Sequence, residues 1–209
     1  MPDDIGPIVG LVDATRQVET HLRQWLGVYL NRVQTHLNAT KPAGDPDIDL
    51  RAPRSWRTPI TVQQGAPIVA DGQLPSVSVV PAGTPSPPRR NGRVWEASWL
   101  LDVVVFARGM TYDHTAATVG GYLTSVHLAC AQLRDTGLDW CHWIGETIDA
   151  IDPQTSRTLG QGSVHLRVGY ERVVDESMYP SNVPDPVSDP VDGWPTVETT
   201  PLTVDTDVP

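Results

Sequence analysis

The sequence predicts an α+β fold with a mostly antiparallel sheet, and three patterns in the 209-residue chain support this class. From Trp95 onward, every second residue of Arg93–Arg108 is apolar, which is typical of a half-buried strand. Two other segments carry apolar residues at intervals of three and four, which is typical of helices with one buried face. Shorter alternating segments lie before and after these. We therefore expect one long strand in an antiparallel sheet, with two helices packed on it.

The predicted long strand is unusual in length. At ~3.3 Å per residue, Arg93–Arg108 spans roughly 50 Å, whereas strands usually have about five or six residues. A strand of this length extends beyond its own sheet or lies at a subunit boundary. Because tryptophan is enriched in protein interfaces, we expect Trp95 or Trp99 to contact a neighbouring subunit.

The first helix is predicted to run from a cap at Asp13 or Thr15 to about Leu37. Its apolar residues recur at intervals of three and four and predict one buried face. That face comprises Val18, Leu22, Trp25, Leu26, Tyr29, Val33 and Leu37.

The second helix is predicted to start at Asp113 or Thr115 and to reach about Arg134, with Gly137 ending it. The pair Gly120–Gly121 lies inside this helix, where each glycine costs roughly 1 kcal/mol relative to alanine. We therefore expect another backbone to pack closely at that point. The predicted buried face comprises Val119, Tyr122, Leu123, Val126, Cys130 and Leu133.

Further strands and loops follow from alternation and from turn-forming residues. Strands are expected at Ile60–Val62, Ser76–Val80, Trp140–Ile151 and Ser163–Val174. Strict alternation would place Trp140, His142, Ile144, Glu146 and Ile148 on one side of their strand. Segments 38–57 and Pro81–Gly92 are predicted to be loops, and Pro153–Gly162 a turn, because proline and glycine interrupt them.

Charge divides the chain into two parts. The net charge is −10, but eight acids follow Arg172, where the chain has no Lys or Arg, so residues 1–172 are close to neutral. We expect a folded domain over residues 1–175 and an extended acidic arm over 176–209, which contains seven prolines. This balance excludes a general nucleic-acid binder. We expect the arm to lie over neighbouring subunits, with Trp194 among its contacts.

The two cysteines, Cys130 and Cys141, are too few for a secreted disulfide scaffold and predict buried thiols. The N-terminus carries Asp3 and Asp4 and lacks the basic-then-apolar order of a signal peptide. No run approaches the ~20 apolar residues of a membrane span. We expect synthesis in a reducing cytoplasm and no membrane association.

Metal sites are incomplete in the sequence. Asp45, Asp47 and Asp49 have the opening spacing of a calcium loop, but the turn glycine and the final bidentate acid are missing. His142 follows Cys141, but neither belongs to a pair with zinc-ligand spacing. The sequence therefore predicts no metal-binding residue, and a small metal-binding protein is a remote alternative.

Catalytic and cofactor sites are also incomplete. Gly160–Gly162 lacks the third glycine of a dinucleotide loop and leads into a strand rather than a helix. Ser163, His165 and Asp175 lie along one strand without a nucleophile elbow. We therefore predict no catalytic or cofactor-binding residue and no cofactor. A hydrolase is the other remote alternative.

Six of the fifteen basic residues lie in two loop-like stretches: Arg51, Arg54 and Arg57, then Arg89, Arg90 and Arg93. Such stretches are either solvated loops or a basic surface that faces DNA phosphates or an acidic partner. Because four prolines stiffen Pro81–Gly92, we expect Arg89 and Arg90 to protrude and to contact another protein.

Three local signatures carry a resemblance to a known family. They are Leu101–Gly109 (LDVVVFARG), Gly120–Leu123 (GGYL), and Trp143–Glu146 (WIGE) together with the closing Gly160–Val174 strand. With the order of elements, they resemble the tail terminator (tail completion) proteins of long-tailed bacteriophages, especially those of actinobacterial hosts. The resemblance covers about residues 55–175.

The resemblance implies a non-enzymatic structural protein of the virion, made in the host cytoplasm and placed at the neck. Its subunits would form a ring, most simply a hexamer, that caps the tail tube and ends tube polymerisation. The implied partners are further copies of the chain, the tail tube protein and the head–tail connector or stopper protein. DNA would pass through without specific binding. A head–tail stopper or a tail-tube subunit is the alternative within the same class.

Overall fold

The computed structural model describes residues 10–57, 60–63, 66–69, 71–133, 137–152 and 158–175. Within these ranges the chain has an α+β fold, as predicted, with two helices, a five-stranded antiparallel sheet and a separate two-stranded sheet. The elements are α1 (Leu11–Thr40), β1 (Ile60–Gln63), β2 (Ala66–Val69), β3 (Ser76–Gly83), β4 (Arg89–Asn91), β5 (Val94–Gly109), α2 (Tyr112–Cys130), β6 (Trp140–Asp152) and β7 (Thr158–Asp175).

The long strand β5 organises the sheet. Its 16 residues pair with β7 on one side and with β3 and β4 on the other, in the order β3-β5-β7-β6. β3 ends opposite Leu100, and β6 begins opposite Gly169. Among the described strands, β4, β5 and β7 alone continue past this point. We call the residues Arg89–Asn91, Val94–Ala97 and Tyr170–Asp175 the sheet extension.

The core lies between one face of the sheet and the two helices. Leu101, Val103 and Val105 alternate along β5 with no exposed surface, as the sequence pattern predicts. On α1 the predicted face is largely buried, and His21 and Leu30 are buried with it. Trp25 and Leu37 depart from the prediction, since Trp25 is 41% exposed and Leu37 is only partly buried.

Both helices differ from the prediction at their ends. α1 begins before Asp13, whose carboxylate accepts a hydrogen bond from the backbone N–H of Gly10 at 3.1 Å. α2 is capped by the hydroxyl of Thr111 and ends at Cys130, not near residue 134. Gly137, with φ of +78°, lies in the loop that follows and does not end the helix.

Glycines allow α2 to pack closely, but not in the way that was expected. A β-carbon added at Gly121 would lie 3.0 Å from side-chain atoms of Leu37 and Leu50, so side chains and not a backbone approach it. At Gly162 on β7, an added β-carbon would lie 2.8 Å from Val119 of α2. This glycine therefore sets the distance between β7 and α2 and belongs to no phosphate loop.

Two segments predicted as irregular contain strand. β3 continues to Gly83, and Arg89–Asn91 pairs with the start of β5, so the predicted Pro81–Gly92 loop is reduced to residues 84–88 and a turn at Gly92. β7 begins at Thr158, within the predicted turn. In both cases β5 offers unpaired backbone groups alongside, and pairing with it satisfies them despite the prolines and glycines.

β6 departs from strict alternation. Its pairing with β7 shifts register between Trp143 and Gly145, which is typical of a β-bulge. His142 therefore lies opposite Arg167, while Glu146 lies opposite Val164 of the core. Since directly opposed residues point to the same face, Glu146 is not on the side of His142, in contrast to the prediction.

Candidate assembly surfaces

The predicted contact residues Arg89 and Arg90 lie on β4 at the tip of the sheet extension. Both are exposed, and they pair with Glu96 and Trp95 of β5. The guanidinium of Arg90 lies 5.9 Å from the centroid of the Trp95 ring, within the range of a cation–π contact. A paired strand, and not a free loop, thus presents both arginines.

The three predicted contact tryptophans have different surroundings. Trp99 is 7% exposed and meets Tyr170 edge-on, with 5.9 Å between the ring centroids. Packing within the subunit accounts for its position, so the expectation of a subunit contact rests on Trp95, which is half-buried. Trp194 and the rest of the predicted arm, 176–209, lie outside the described residues.

The two basic stretches lie near opposite ends of β5. The backbone N–H of Arg54 donates to the carbonyl of Pro75 at 2.8 Å, beside the first residue of β3, which pairs with Phe106. Arg89 pairs with Glu96 instead. Ten residues of β5 separate these two points, or roughly 33 Å at 3.3 Å per residue. The arginines therefore form two separate surfaces and not one basic patch.

A cleft of about 270 Å³ adjoins the sheet extension. The guanidinium of Arg167 donates to the Ser98 hydroxyl at 3.1 and 3.2 Å and lies 5.8 Å from the Trp140 ring centroid. The charged residues lining the cleft are two arginines and two glutamates: Arg89, Arg167, Glu96 and Glu171. The formal charges that line the cleft balance, so the cleft is not a basic patch.

A polar chain crosses the sheet face that lies away from the helices. His165 Nδ1 lies 2.8 Å from a carboxylate oxygen of Asp102, and His165 Nε2 lies 3.4 Å from the Thr147 hydroxyl. A hydroxyl, a histidine and a carboxylate in the order Thr147, His165 and Asp102 match the connectivity of a hydrolase triad. However, the 3.4 Å contact is long, and the histidine and aspartate side chains are one-third exposed. The arrangement is better explained as a cross-strand pair.

Neither this pair nor the exposure of Ile144 and Ile148 on β6 was predicted from the sequence. Asp102 and His165 are 63 residues apart, and no local pattern links them. Trp143, Ile144 and Ile148 are 49%, 56% and 48% exposed. Trp143 also stacks on His127 of α2, with 4.4 Å between the ring centroids. The adjacent apolar pair Trp143-Ile144 interrupts the alternation, and that interruption was the available signal for the bulge.

Burial raises the pKa of three side chains on α2 and β6. It raises the pKa of Tyr122 above its ordinary value, although the Tyr122 hydroxyl donates to the carbonyl of Arg51 at 2.7 Å. Burial raises the pKa of Cys141 to about 11. Burial, with Cys141 nearby, raises the pKa of Cys130 well above its usual range. Both cysteines are free thiols, as predicted, but only Cys130 is fully buried, whereas Cys141 is partly buried.

Stability should fall in alkaline solution because of these thiols. In the unfolded chain a cysteine has its ordinary pKa near 9, whereas the folded pKa of Cys141 is about 11. Between these values the unfolded state binds fewer protons, so the free energy of unfolding decreases as pH rises. Urea unfolding from about pH 8 to 11 should show a smaller decrease for Cys141→Ala than for the wild type. Equal decreases would contradict a raised pKa at Cys141.

Two of the three acids of the candidate calcium loop are paired with basic side chains. Asp47 lies 2.7 Å from the Lys41 ammonium, and Asp49 lies 2.6 Å from the Arg51 guanidinium. Within the described ranges, no three His, Cys, Asp or Glu residues are grouped so that they could hold a metal ion. Of the helices described, neither combines the length and apolar character that a membrane crossing requires.

Neither a protein-family model nor a curated protein matches this chain. Its function is therefore inferred from its own residues and fold, and from the resemblance noted above.

Proposed function

We propose that this protein is a structural, non-enzymatic tail terminator of a long-tailed bacteriophage. Its subunits form a ring, most simply a hexamer, at the neck of the virion. The ring caps the tail tube, ends tube polymerisation and joins the tail to the head–tail connector. DNA passes through the ring without specific binding.

The sheet extension is the observation that carries this proposal. A subunit of such a ring needs one surface for its neighbours and another, away from it, for a partner along the particle axis. The extension continues β5 and β7 past β3 and β6 and has exposed Arg89 and Arg90 at its tip. It therefore offers a protruding contact surface roughly 33 Å along β5 from the second basic stretch.

The side chains at the tip of the sheet extension are suited to bind another protein. Arg89 and Arg90 lie beside Trp95, and arginine and tryptophan are the residues most often found at binding hot spots. Such a surface suits an acidic or aromatic patch on the tail tube protein or the connector. Arginines that gripped phosphates strongly would slow the passage of DNA, which favours a protein partner.

Depletion of the protein in a phage that encodes this chain tests the proposal. Without a terminator, tubes should continue past their normal length and fail to join heads, and electron microscopy would show overlong free tails beside filled heads. Supplying the wild-type chain from a plasmid should restore normal particles.

The same experiment separates the alternatives. Loss of a head–tail stopper leaves tails of normal length and heads that lose their DNA, whereas loss of a tube subunit leaves no tails. Particles of normal appearance after full depletion would overturn the proposal.

A further inference from the structure

The strand β6 forms one edge of the described sheet and carries exposed apolar residues. Among the described strands, β6 pairs with β7 alone. Trp143, Ile144 and Ile148 on this strand are about half exposed. β6 contains no proline or lysine, two residues that often protect an edge strand, although it has a β-bulge and acidic residues. Its exposed apolar side chains are suited to contact another chain.

The opposite edge of the sheet carries Arg54–Arg57. The N–H of Arg54 donates to the Pro75 carbonyl, and the Ser76 hydroxyl donates to the Arg57 carbonyl at 2.6 Å. Ser55 and Ser76 form a parallel bridge, so this segment lies along the start of β3. The backbone of both arginines is anchored there, while both residues are exposed. We call Arg54–Arg57 the basic edge.

The two edges have opposite charge at the same level of the sheet. The second half of β6 carries Glu146, Asp149 and Asp152 and has no Lys or Arg; we call Glu146–Asp152 the acidic edge. Across the sheet, the row of paired residues through Ser76 reaches Ala150, and the row through Val79 reaches Glu146. A second copy placed alongside, without a shift along the strands, would therefore bring unlike charges together.

We propose that the acidic edge of one copy docks against the basic edge of a second copy of this chain. The proposal deepens the ring of the proposed function and rests on it. The contact joins two different surfaces, so each copy keeps one free edge and the chain of copies can close into a ring.

A charge exchange tests the contact. Glu146→Lys and the double variant Arg54→Glu/Arg57→Glu should each weaken self-association about tenfold, as sedimentation over a range of protein concentrations would measure. Mixing the two variants should restore assembly, because each then meets a complementary edge on the other. A single chain that carries all three substitutions should also assemble.

Matched controls separate this contact from general effects of charge. Glu19→Lys changes the net charge by the same amount but lies on α1. It should assemble like the wild type. For the apolar side, Ile148→Lys should weaken assembly, whereas Val28→Lys, a residue of similar exposure on α1, should not. Circular dichroism would verify that every variant is folded.

Three outcomes would overturn the inference: a wild-type protein that stays monomeric up to about millimolar concentration, a Glu146→Lys variant that assembles normally, or a mixture that is not rescued. These outcomes are distinct from failure of the proposed function. If mixing the variants restores assembly but depletion gives normal tails, the contact between copies is supported and the terminator role is wrong. If depletion gives overlong tails but mixing does not restore assembly, the terminator role is supported and the contact is wrong.

Discussion

Replacing Leu101 by alanine is expected to lower the free energy of unfolding by about 2–5 kcal/mol. Leu101 lies at the centre of β5 with none of its surface exposed, and it pairs with Pro81 on one side and Leu166 on the other. Removing its isobutyl group leaves a cavity that the neighbouring strands cannot close. Since domains are stable by about 5–15 kcal/mol, this is a large part of the total.

The adjacent residue is the matched control. Leu100 points to the other face of the sheet and is only partly buried, so Leu100→Ala should cost about 1 kcal/mol. Urea unfolding followed by circular dichroism measures both. Equal losses for the two leucines would mean that the two faces of β5 are buried alike, which would contradict a core that lies on the helix side alone.

The central part of this fold was predictable because the polarity of each side chain there matches its burial. β5 was predicted within one residue of its bounds, since apolar and polar residues alternate on its two faces. The body of α1 followed from helical spacing in the same way. Where a side chain packs against a continuous core, its polarity is set by burial, and the sequence pattern follows the structure.

The errors arose where pairing, and not side-chain polarity, decides the structure. Arg89–Asn91 is polar throughout and follows prolines, yet it is a strand because β5 offers backbone partners beside it. The register shift at Trp143 depends on the pairing with β7, and strict alternation could not include it. Almost any residue can form backbone hydrogen bonds of this kind, so the sequence gives little indication of where they occur.

The candidate surfaces were predictable only in part. Arg89 and Arg90 were found from charge, but their position at the tip of the sheet extension depends on where β3 and β6 end. The opposite charges of the acidic and basic edges depend on a row of pairs that crosses four strands, from Ser76 to Ala150. Residues brought together by such long-range pairing cannot be identified from local spacing.

Replacing both Arg89 and Arg90 by alanine is expected to reduce the joining of tails to heads by about 30-fold while leaving the protein folded. Arginines at a binding hot spot contribute about 2 kcal/mol or more, and 1.4 kcal/mol corresponds to a factor of ten. Both side chains are exposed. Within the subunit, Arg90 contacts the Trp95 ring, which is worth roughly 0.5–1 kcal/mol, and its Nε–H donates to the Gly92 carbonyl at 3.0 Å. Counting joined particles by electron microscopy, beside the midpoint of thermal unfolding, measures both effects.

Two controls identify the source of any loss in joining. Arg16→Ala removes an equally exposed arginine from α1, far in sequence from β4, and should leave joining unchanged. Replacing Arg89 and Arg90 by lysine retains the charge but not the planar, two-pronged hydrogen bonding, so a partial loss would indicate that a carboxylate is bound by that geometry. If the alanine variant joins normally and melts normally, the tip of the sheet extension contacts no partner. If its thermal midpoint falls by more than about 8 °C, a shift that corresponds to well over 1 kcal/mol, β4 is a packed structural element and the contact role is wrong.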